Sequence, residues 1–331
     1  MEVARRPEPH GPFTLSSIGF SVEVLATAPT EAGLVAWLRA GPIARPLYGP
    51  SIGEALIVTE TGSVGRLSVE NRSPVPVLVP ADWILDGGKQ ARVVERSAIV
   101  SPGASSVLRV RCVEQHRWSF HKVPSARAGH SDETRFAMRG SSTLRTRAHF
   151  ADSRARSFRR GGAHDLDQAS VWAHVEDELT RTSTRSPTSS YVDYLDASRA
   201  SSARLTELIM DMPAEANGLA VLSGRESWLE VLPTPADLKV SAVGTLTGAL
   251  DFARAAGEGG ASTGEVSRAR ARQPNELSRL VAELTTKTWT RLPVVEERGA
   301  ASLALEDTHA YGAALLWENE IAHLVLVARS A

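Results

Sequence analysis

Short segments rich in β-branched residues fill the chain between Ala55 and Val113. Glycine, proline, asparagine or serine separates each segment from the next, which is typical of strands joined by tight turns. In the last segment, alternation puts Leu108, Val110 and Cys112 on one strand face, and on the other Val107, Arg109, Arg111 and Val113. We expect an antiparallel sandwich or a partly open barrel. The predicted strands cover residues 55–59, 65–70, 75–79, 84–85, 92–94, 98–100 and 107–113.

Helical spacing begins after Asp165, where Trp172, Val175 and Leu179 lie three and four positions apart. A serine-rich interruption at 186–190 precedes a second helix, which is predicted to end near Met210. Further helices are expected at 239–256 and 276–284, and strands at 218–223, 228–232, 301–305, 311–317 and 321–328. The fold class is therefore α+β: an N-terminal antiparallel β-sandwich or partly open barrel, then a helical and mixed half that closes with C-terminal strands.

The chain divides by composition into an extension and one large domain. Residues 1–41 form the expected N-terminal extension, loosely structured except for a short helix at 31–39. One domain is expected over 42–328, built from a β-rich part at 42–121, an Arg/Ser-rich loop at 122–165 and an α/β part at 166–328.

Overall charge and hydropathy give no sign of a membrane or of an extended nucleic-acid surface. The 331 residues carry a net charge of −1, and no apolar run approaches the ~20 residues that span a bilayer. We therefore expect a cytoplasmic protein. The stretch 117–160 differs in charge from the rest of the chain, because it contains eleven Lys or Arg residues and only three acidic ones. Nucleic-acid binding through this stretch is a weaker alternative function.

Two adjacent glycines form the centre of Gly87-Gly88-Lys89-Gln90. Glycines permit positive φ, which lets backbone N–H groups converge on an anion, and Lys89 adds a positive charge. The preceding Asp86 makes an Asp-Gly pair, which is typical of a tight hairpin turn. Two interpretations stay open: a hairpin turn alone, or a turn that also contacts a ligand.

A second polar motif contains Glu114, Arg117 and Trp118. Arg117 is suited to bidentate anion binding, Glu114 to accepting a proton or a hydrogen bond, and Trp118 to stacking on a flat ring. The alternative is a structural Glu–Arg ion pair covered by a buried tryptophan.

The remaining candidate groups favour structural roles. Cys112 is the single cysteine, and its strand alternation favours a buried inert thiol over a nucleophile. His323 lies in an apolar strand, where a hydrogen-bonded core histidine is the usual outcome. The histidine spacings match no zinc motif, so we expect no metal and no cofactor.

The two polar motifs make the chain resemble the bacterial ARPP-1 family, the ADP-ribosylglycohydrolase and rhodanese-phosphatase-superfamily-associated protein domain. The resemblance covers about 42–327 and departs at Ala91, where the family has asparagine. The motifs are Gly87-Gly88-Lys89-Gln90-x-Arg92 and Cys112-Val113-Glu114-x-x-Arg117-Trp118.

The resemblance implies a role in NAD-derived or ADP-ribose metabolism, with a phosphorylated nucleotide as ligand and a protein partner from NAD-related pathways. Whether the chain is an enzyme stays open; the alternative is a non-catalytic interaction domain whose motif residues only join strands. In the leading hypothesis the Gly87-Gly88 turn approaches the ligand and Glu114 is the acid or base. Lys89, Arg92 and Arg117 hold phosphates, Gln90 contacts a polar edge and Trp118 stacks.

Overall fold

The computed structural model describes ten parts of the chain. They are residues 13–30, 33–44, 49, 55–119, 135–162, 164–199, 203–222, 226–257, 277–293 and 299–329. The strands within them are β1 (Ser21–Thr30), β2 (Gly33–Gly41), β3 (Leu56–Glu60), β4 (Arg66–Asn71), β5 (Val77–Val79), β6 (Trp83–Gly87), β7 (Arg92–Val94), β8 (Ala98–Val100), β9 (Ser105–Cys112), β10 (Arg135–Ser141), β11 (Gly218–Leu222), β12 (Glu226–Val231), β13 (Thr290–Arg291), β14 (Ala300–Glu306), β15 (Ala310–Trp317) and β16 (Glu320–Arg329). The α-helices are α1 (Leu144–Arg159), α2 (Gln168–Arg181), α3 (Tyr191–Arg199), α4 (Ala203–Met210), α5 (Pro235–Gly257) and α6 (277–286), and a 3-10 helix covers Leu15–Ile18.

Six antiparallel strands close into a barrel in the order β10-β3-β4-β9-β7-β6. Alternation in β9 buries Leu108, Val110 and Cys112 and exposes Val107, as the sequence predicts. The barrel interior is apolar, with Leu67, Leu85 and Phe136 in its core. Closure depends on β10, which pairs with β3 on one side and β6 on the other.

Eight antiparallel strands form the second layer, in the order β1-β2-β11-β12-β16-β15-β14-β13. Apolar side chains cover both faces of this sheet. One face packs against α1, α4 and α5, where Trp37, Trp228 and Leu246 share a core. The other face packs against α6 and the first described residues, through Leu280 and Phe13. Helices therefore cover both sides of the central strands.

Helices α1 and α5 join the sheet to the barrel. α1 contacts β15 and α5, while α5 contacts β10 and β11. A separate core between the barrel exterior and helices α2 and α3 contains Ile84, Phe150 and Tyr191. The segment from β10 to α1 therefore contributes to every layer of the molecule.

The α+β class and its strands after Ala55 are confirmed, whereas two predictions are wrong. Residues 33–41 form β2, not a helix, and β1 and β2 are paired in the main sheet, so 21–41 is not loosely structured. The loop expected at 122–165 is wrong for 135–159, which form β10 and α1; residues 120–134 lie outside the described parts. The division into an extension and one domain at 42–328 stays a prediction.

Most described arginines of the basic stretch pair with acids. Arg139 pairs with Asp196 at 2.7 Å, and Arg145 approaches Glu178 at 2.6 Å. Further pairs are Arg117–Glu114, Arg147–Glu230, Arg154–Asp82, Arg156–Asp152 and Arg159–Glu306. Much of the local excess of arginine among the described residues is therefore balanced by ion pairs, most of which join different elements. No helix among the described residues is long and apolar enough to cross a bilayer.

Helix α5 approaches β10 at Gly244, where a Cβ atom would lie 2.2 Å from the Ser141 carbonyl oxygen. In an ordinary helix interior, glycine to alanine stabilises by about 1 kcal/mol. We expect Gly244→Ala instead to lower the free energy of unfolding by about 1–3 kcal/mol, because the helix must move away from β10. Urea denaturation measures this. The control is Gly41→Ala, since nothing lies within 4 Å of the Cβ there; a Gly244→Ala variant as stable as the parent would contradict the packing.

Candidate functional site

The two predicted motifs meet at one end of the barrel, and we call residues 87–92 with 114–118 the glycine corner. Gly87 and Gly88 have φ angles of 137° and 51°, in the region that favours glycine. A Cβ at Gly88 would lie 2.4 Å from Cζ of Phe136 and 2.6 Å from Oε1 of Glu60. The second glycine is therefore required by packing inside the barrel mouth.

Glu114 is the centre of the glycine corner and is 4% exposed. Arg117 donates from Nε to Oε1 at 2.8 Å and from Nη2 to Oε2 at 2.7 Å. The Ala91 N–H donates to Oε2 at 2.9 Å, and the Thr188 hydroxyl to Oε1 at 2.8 Å. Burial alone would raise the pKa of Glu114, but these donors hold it below its ordinary value. The ionised carboxylate therefore joins β7, the segment after β9 and the segment before α3.

Arg117 completes this junction by donating from Nη1 to the carbonyl oxygens of Gly88 at 2.8 Å and Ser119 at 3.0 Å. Gln90 is fully buried; its amide donates to the Glu114 carbonyl at 2.9 Å and its Oε1 accepts from the Cys112 thiol at 3.2 Å. Burial raises the pKa of that thiol, as expected for an inert cysteine.

The remaining members of the glycine corner differ in accessibility. Arg92 is 2% exposed and donates to the Gln90 carbonyl at 2.8 Å. Lys89 is exposed, and Trp118 is 61% exposed and so does not cover the Glu114–Arg117 pair as a buried ring would. The structure thus brings all eight predicted side chains and glycines together, with Lys89 and Trp118 facing solvent. Their binding and catalytic roles stay predictions.

A second polar region lies where the barrel, α1 and strands β14–β16 meet. It is a concave, partly open hollow, which we call the central hollow. Its lining combines the side chains of Asp82, Glu95, Arg96, Ser97, Arg154, His164, Ser302 and His323 with apolar groups of Leu292, Leu303, Leu315 and Val325. Titratable groups that converge on one concave surface are typical of ligand sites.

A buried ion pair, Arg147–Glu230, lies behind this lining. Arg147 donates to Glu230 from Nη1 at 2.7 Å and Nη2 at 2.5 Å, and both side chains are fully buried. Burial opposes ionisation of both groups, but each charge favours the other, so the pKa of Glu230 falls far below its ordinary value and that of Arg147 rises. Ser241 also donates to Glu230 at 2.9 Å. The carboxylate is therefore a fixed negative charge inside the molecule.

His323 connects Glu230 to Ser97. Its Nε2 lies 3.2 Å from Glu230 Oε1, and its Nδ1 lies 2.7 Å from Ser97 Oγ. Strand alternation explains the meeting, because Glu230 pairs with Val325 in register, and His323 two positions away points to the same face. Ser97 follows β7 on the barrel side. The serine, histidine and glutamate therefore join the two β units.

Asp82 and Arg154 form the next pair along the hollow. Asp82 has a φ of 65° and is 1% exposed, and Arg154 on α1 donates to its carboxylate. Burial raises the pKa of Asp82 against the opposing charges of Arg154 and Arg147. Nearby, burial and then the positive charges of Arg154 and Arg96 lower the pKa of His164 to about 3. The hollow thus contains paired ions beside a neutral imidazole.

Sequence reasoning missed most of the central hollow. His323 was identified only as a hydrogen-bonded core histidine, and the structure confirms that it is buried and hydrogen-bonded. Glu230 was a usable sequence signal for a buried polar site, because it is an acid inside the apolar run Trp228 to Leu232. A buried acid requires a hydrogen-bonding or charged partner. Nothing in the local sequence distinguished Ser97.

Among the described residues, His174, Asp177 and Glu178 have ligand atoms within 4.8 Å of one another. Cationic and hydroxyl groups already contact them: Arg145 and Arg181 lie 2.6 Å and 2.7 Å from Glu178, and Thr146 bonds to His174 at 3.0 Å. This arrangement is that of an ion-pair network on α2.

The fold and the two polar regions define an α+β protein in which a closed barrel is joined to an eight-stranded sheet through buried ion pairs. The chain belongs to the ARPP-1 family, described as the ARG and Rhodanese-Phosphatase-superfamily-associated Protein domain, whose model matches residues 50–327. No curated protein and no solved structure matches the chain.

Glu114→Gln tests whether the glycine corner stabilises the fold. Removing the charge leaves Arg117 buried without its partner, so we expect the free energy of unfolding to fall by ~3–5 kcal/mol. Urea denaturation of the full chain measures it. The control is Glu70→Gln, in the exposed Glu70–Arg72 pair of the same barrel, for which we expect little change. A Glu114→Gln variant of unchanged stability would instead favour a role for Glu114 in function.

His164 gives the central hollow a pH signature. The unfolded histidine takes up a proton near pH 6.5, but the folded one does so only near its pKa of about 3. Stability is therefore lost as pH falls below about 6.5. Between pH 7 and pH 5 we expect His164→Asn to lose about 2 kcal/mol less than the parent chain. Urea denaturation at both values measures this, with the exposed His116→Asn as control; equal losses in all three proteins would contradict the assignment.

Proposed function

We propose that this chain is a ligand-binding or enzymatic domain that acts on ADP-ribose-like or other NAD-derived phosphorylated nucleotides. The family description supports it, because it associates these domains with ADP-ribosylglycohydrolases and rhodanese-phosphatases. The observation that carries the proposal is the central hollow, where Arg96 and Arg154 line a concave surface beside hydroxyl and imidazole groups. Arg96 also pairs with Asp165 and Arg154 with Asp82, so a bound phosphate shares or displaces these carboxylates. Guanidinium groups recognise phosphate through paired hydrogen bonds. The proposed occupant is a small molecule with at least one phosphate.

The glycine corner is the second proposed contact region. Lys89 is exposed and the ring of Trp118 is 61% exposed, so they offer a phosphate contact and a stacking surface at the protein surface. Glu114, Arg117, Gln90 and Arg92 are less accessible and bond within the protein. In this proposal the buried members of the corner support Lys89 and Trp118, and a ligand that reaches Arg92 or Glu114 must first displace those bonds.

A non-catalytic interaction domain is the competing function. The hydrogen bonds of Glu114 favour this alternative. Two donors from Arg117, the Ala91 N–H and the Thr188 hydroxyl already bond to its carboxylate. In that function the motif residues serve only to join strands, and a protein partner from NAD-related pathways binds elsewhere. Nucleic-acid binding through 117–160 is less favoured, because Arg139, Arg145 and Arg147 are paired with carboxylates.

Ligand-induced stabilisation tests the proposal. ADP-ribose at 100 times its dissociation constant should raise the free energy of unfolding by about 2.7 kcal/mol. Thermal unfolding with ADP-ribose, NAD and phosphate-free ribose measures it, and only the first two should raise Tm. If the ligand binds in the central hollow, Arg96→Gln should reduce the ligand-induced increase in Tm. If it binds at the glycine corner, the Lys89→Ala, Trp118→Ala double variant should reduce it. No shift at millimolar ADP-ribose or NAD would contradict the proposed ligand class and favour the interaction domain.

A further inference from the structure

We propose that Ser97 is a nucleophile activated by His323, and that the central hollow cleaves esters of short acyl groups. Ser97, His323 and Glu230 form a continuous series of hydrogen bonds: 2.7 Å from the hydroxyl to Nδ1, and 3.2 Å from Nε2 to the carboxylate. A nucleophile, a base and a group that orients the base, each within hydrogen-bond reach, constitute the arrangement that activates serine. The three residues come from the barrel and from two strands of the sheet.

The hydrogen-bond directions suit this chemistry. Glu230 is an ionised acceptor, so the imidazole donates to it from Nε2, and Nδ1 is left to accept the Ser97 proton. Ser97 Oγ already accepts from the Ala81 N–H at 3.0 Å, which leaves its own proton for Nδ1. The Ser97 hydroxyl thus accepts one hydrogen bond and donates another. Arg147 and Ser241 fix the Glu230 carboxylate, which in turn fixes the orientation of the His323 imidazole.

The surroundings of Ser97 indicate the substrate class. Ser97 and His323 both line the central hollow, and Ser97 is partly exposed while His323 is buried. The apolar part of this lining includes Leu303, Leu315 and Val325 beside the short groups of Gly312 and Ala313. An apolar lining of this kind suits a short acyl chain, and Arg96 and Arg154 place positive charge in the same lining.

The reaction balances as an ester hydrolysis. Ser97 Oγ attacks the acyl carbon while its proton moves to His323 Nδ1. The carbon–oxygen bond to the alcohol breaks, and the same proton passes from Nδ1 to the leaving oxygen, which leaves an acyl group on Ser97. Water then attacks that carbonyl and gives a proton to Nδ1, and Ser97 Oγ leaves and recovers it. One ester and one water become one acid and one alcohol.

This inference does not depend on the proposed nucleotide ligand. It concerns the acyl part of a substrate, and any alcohol, including a phosphorylated one, would serve as the leaving group. Nucleotide binding without Ser97 reactivity and Ser97 reactivity without nucleotide binding are therefore separate results.

A small alkyl fluorophosphonate tests the nucleophile directly, because it reacts covalently with activated serines. We expect one phosphonyl group per full-length chain, located by peptide mass spectrometry at Ser97. Hydrolysis of p-nitrophenyl acetate should fall on the order of 10²-fold or more in Ser97→Ala and His323→Gln. The matched control is Ser227→Ala, since Ser227 is a buried serine of β12, 6% exposed, that does not line the hollow; it should react and hydrolyse like the parent.

Folding must be separated from chemistry, because Ser97 also accepts a hydrogen bond from Ala81. Circular dichroism checks each variant, and Ser97→Cys supplies a conservative alternative if Ser97→Ala does not fold. We expect the thiol to be acylated by p-nitrophenyl acetate and the adduct to lie at position 97. Absence of any adduct at Ser97 in the folded parent, or equal labelling in folded His323→Gln, would overturn the proposal.

Glu230 is assigned a positioning role, which requires a spectroscopic readout. In ¹⁵N-histidine NMR spectra the parent should show His323 with its proton on Nε2, and Glu230→Gln should populate the other tautomer and slow phosphonylation of Ser97. A parent chain in which Nδ1 carries the proton would overturn the role of Glu230, because Ser97 would then have no acceptor.

Discussion

The geometry of the central hollow depends on the Arg147–Glu230 ion pair. Both charges are fully buried, and bringing them out of water costs several kcal/mol per ion before their attraction is counted. Two short hydrogen bonds between them, with Ser241 on Glu230 and Thr245 on Arg147, offset that cost. A buried pair of this kind contributes little net stability compared with apolar side chains of similar volume. Its consequence is a carboxylate with one fixed orientation beside His323.

Helix α1 transmits this constraint between the two β units. One of its faces carries Arg147, which contacts Glu230 of the sheet. About two turns later the same face carries Arg154, which contacts Asp82 of the barrel. The Asp82 carbonyl also accepts the Ser142 N–H at 3.0 Å, just before α1 begins. The barrel and the sheet are thus tied to the same helix, and the central hollow lies where these ties converge. At the glycine corner, Glu114 similarly joins the barrel to the segment before α3, where Thr188 donates to its carboxylate.

Much of the fold was predictable from local pattern, and the exceptions have physical reasons. β7 and β8 were predicted to the residue, since Arg92–Val94 and Ala98–Val100 are short and bounded by turn formers. α1 was missed because its buried face includes the polar residues Thr146, Arg147, Ser153 and Arg154, so no apolar stripe is visible. The two arginines are buried against acids that are distant in sequence. The segment 33–39 has few strand-specific signals and becomes β2 because β1 and β11 flank it. The glycine corner was found because its residues are close in sequence. The central hollow was not, because Ser97, Glu230 and His323 meet only in the folded chain.

In the proposed esterase site, the buried charge on Glu230 holds His323 toward Ser97. The most direct measurement is fluorophosphonate labelling of the Arg147→Met, Glu230→Leu double variant, once circular dichroism shows that it is folded. Replacing both partners removes the charge without leaving an unpaired ion. We predict that the folded double variant no longer labels at Ser97. Labelling at the rate of the parent chain would contradict it, because Ser97 would then be reactive without the carboxylate that orients its base.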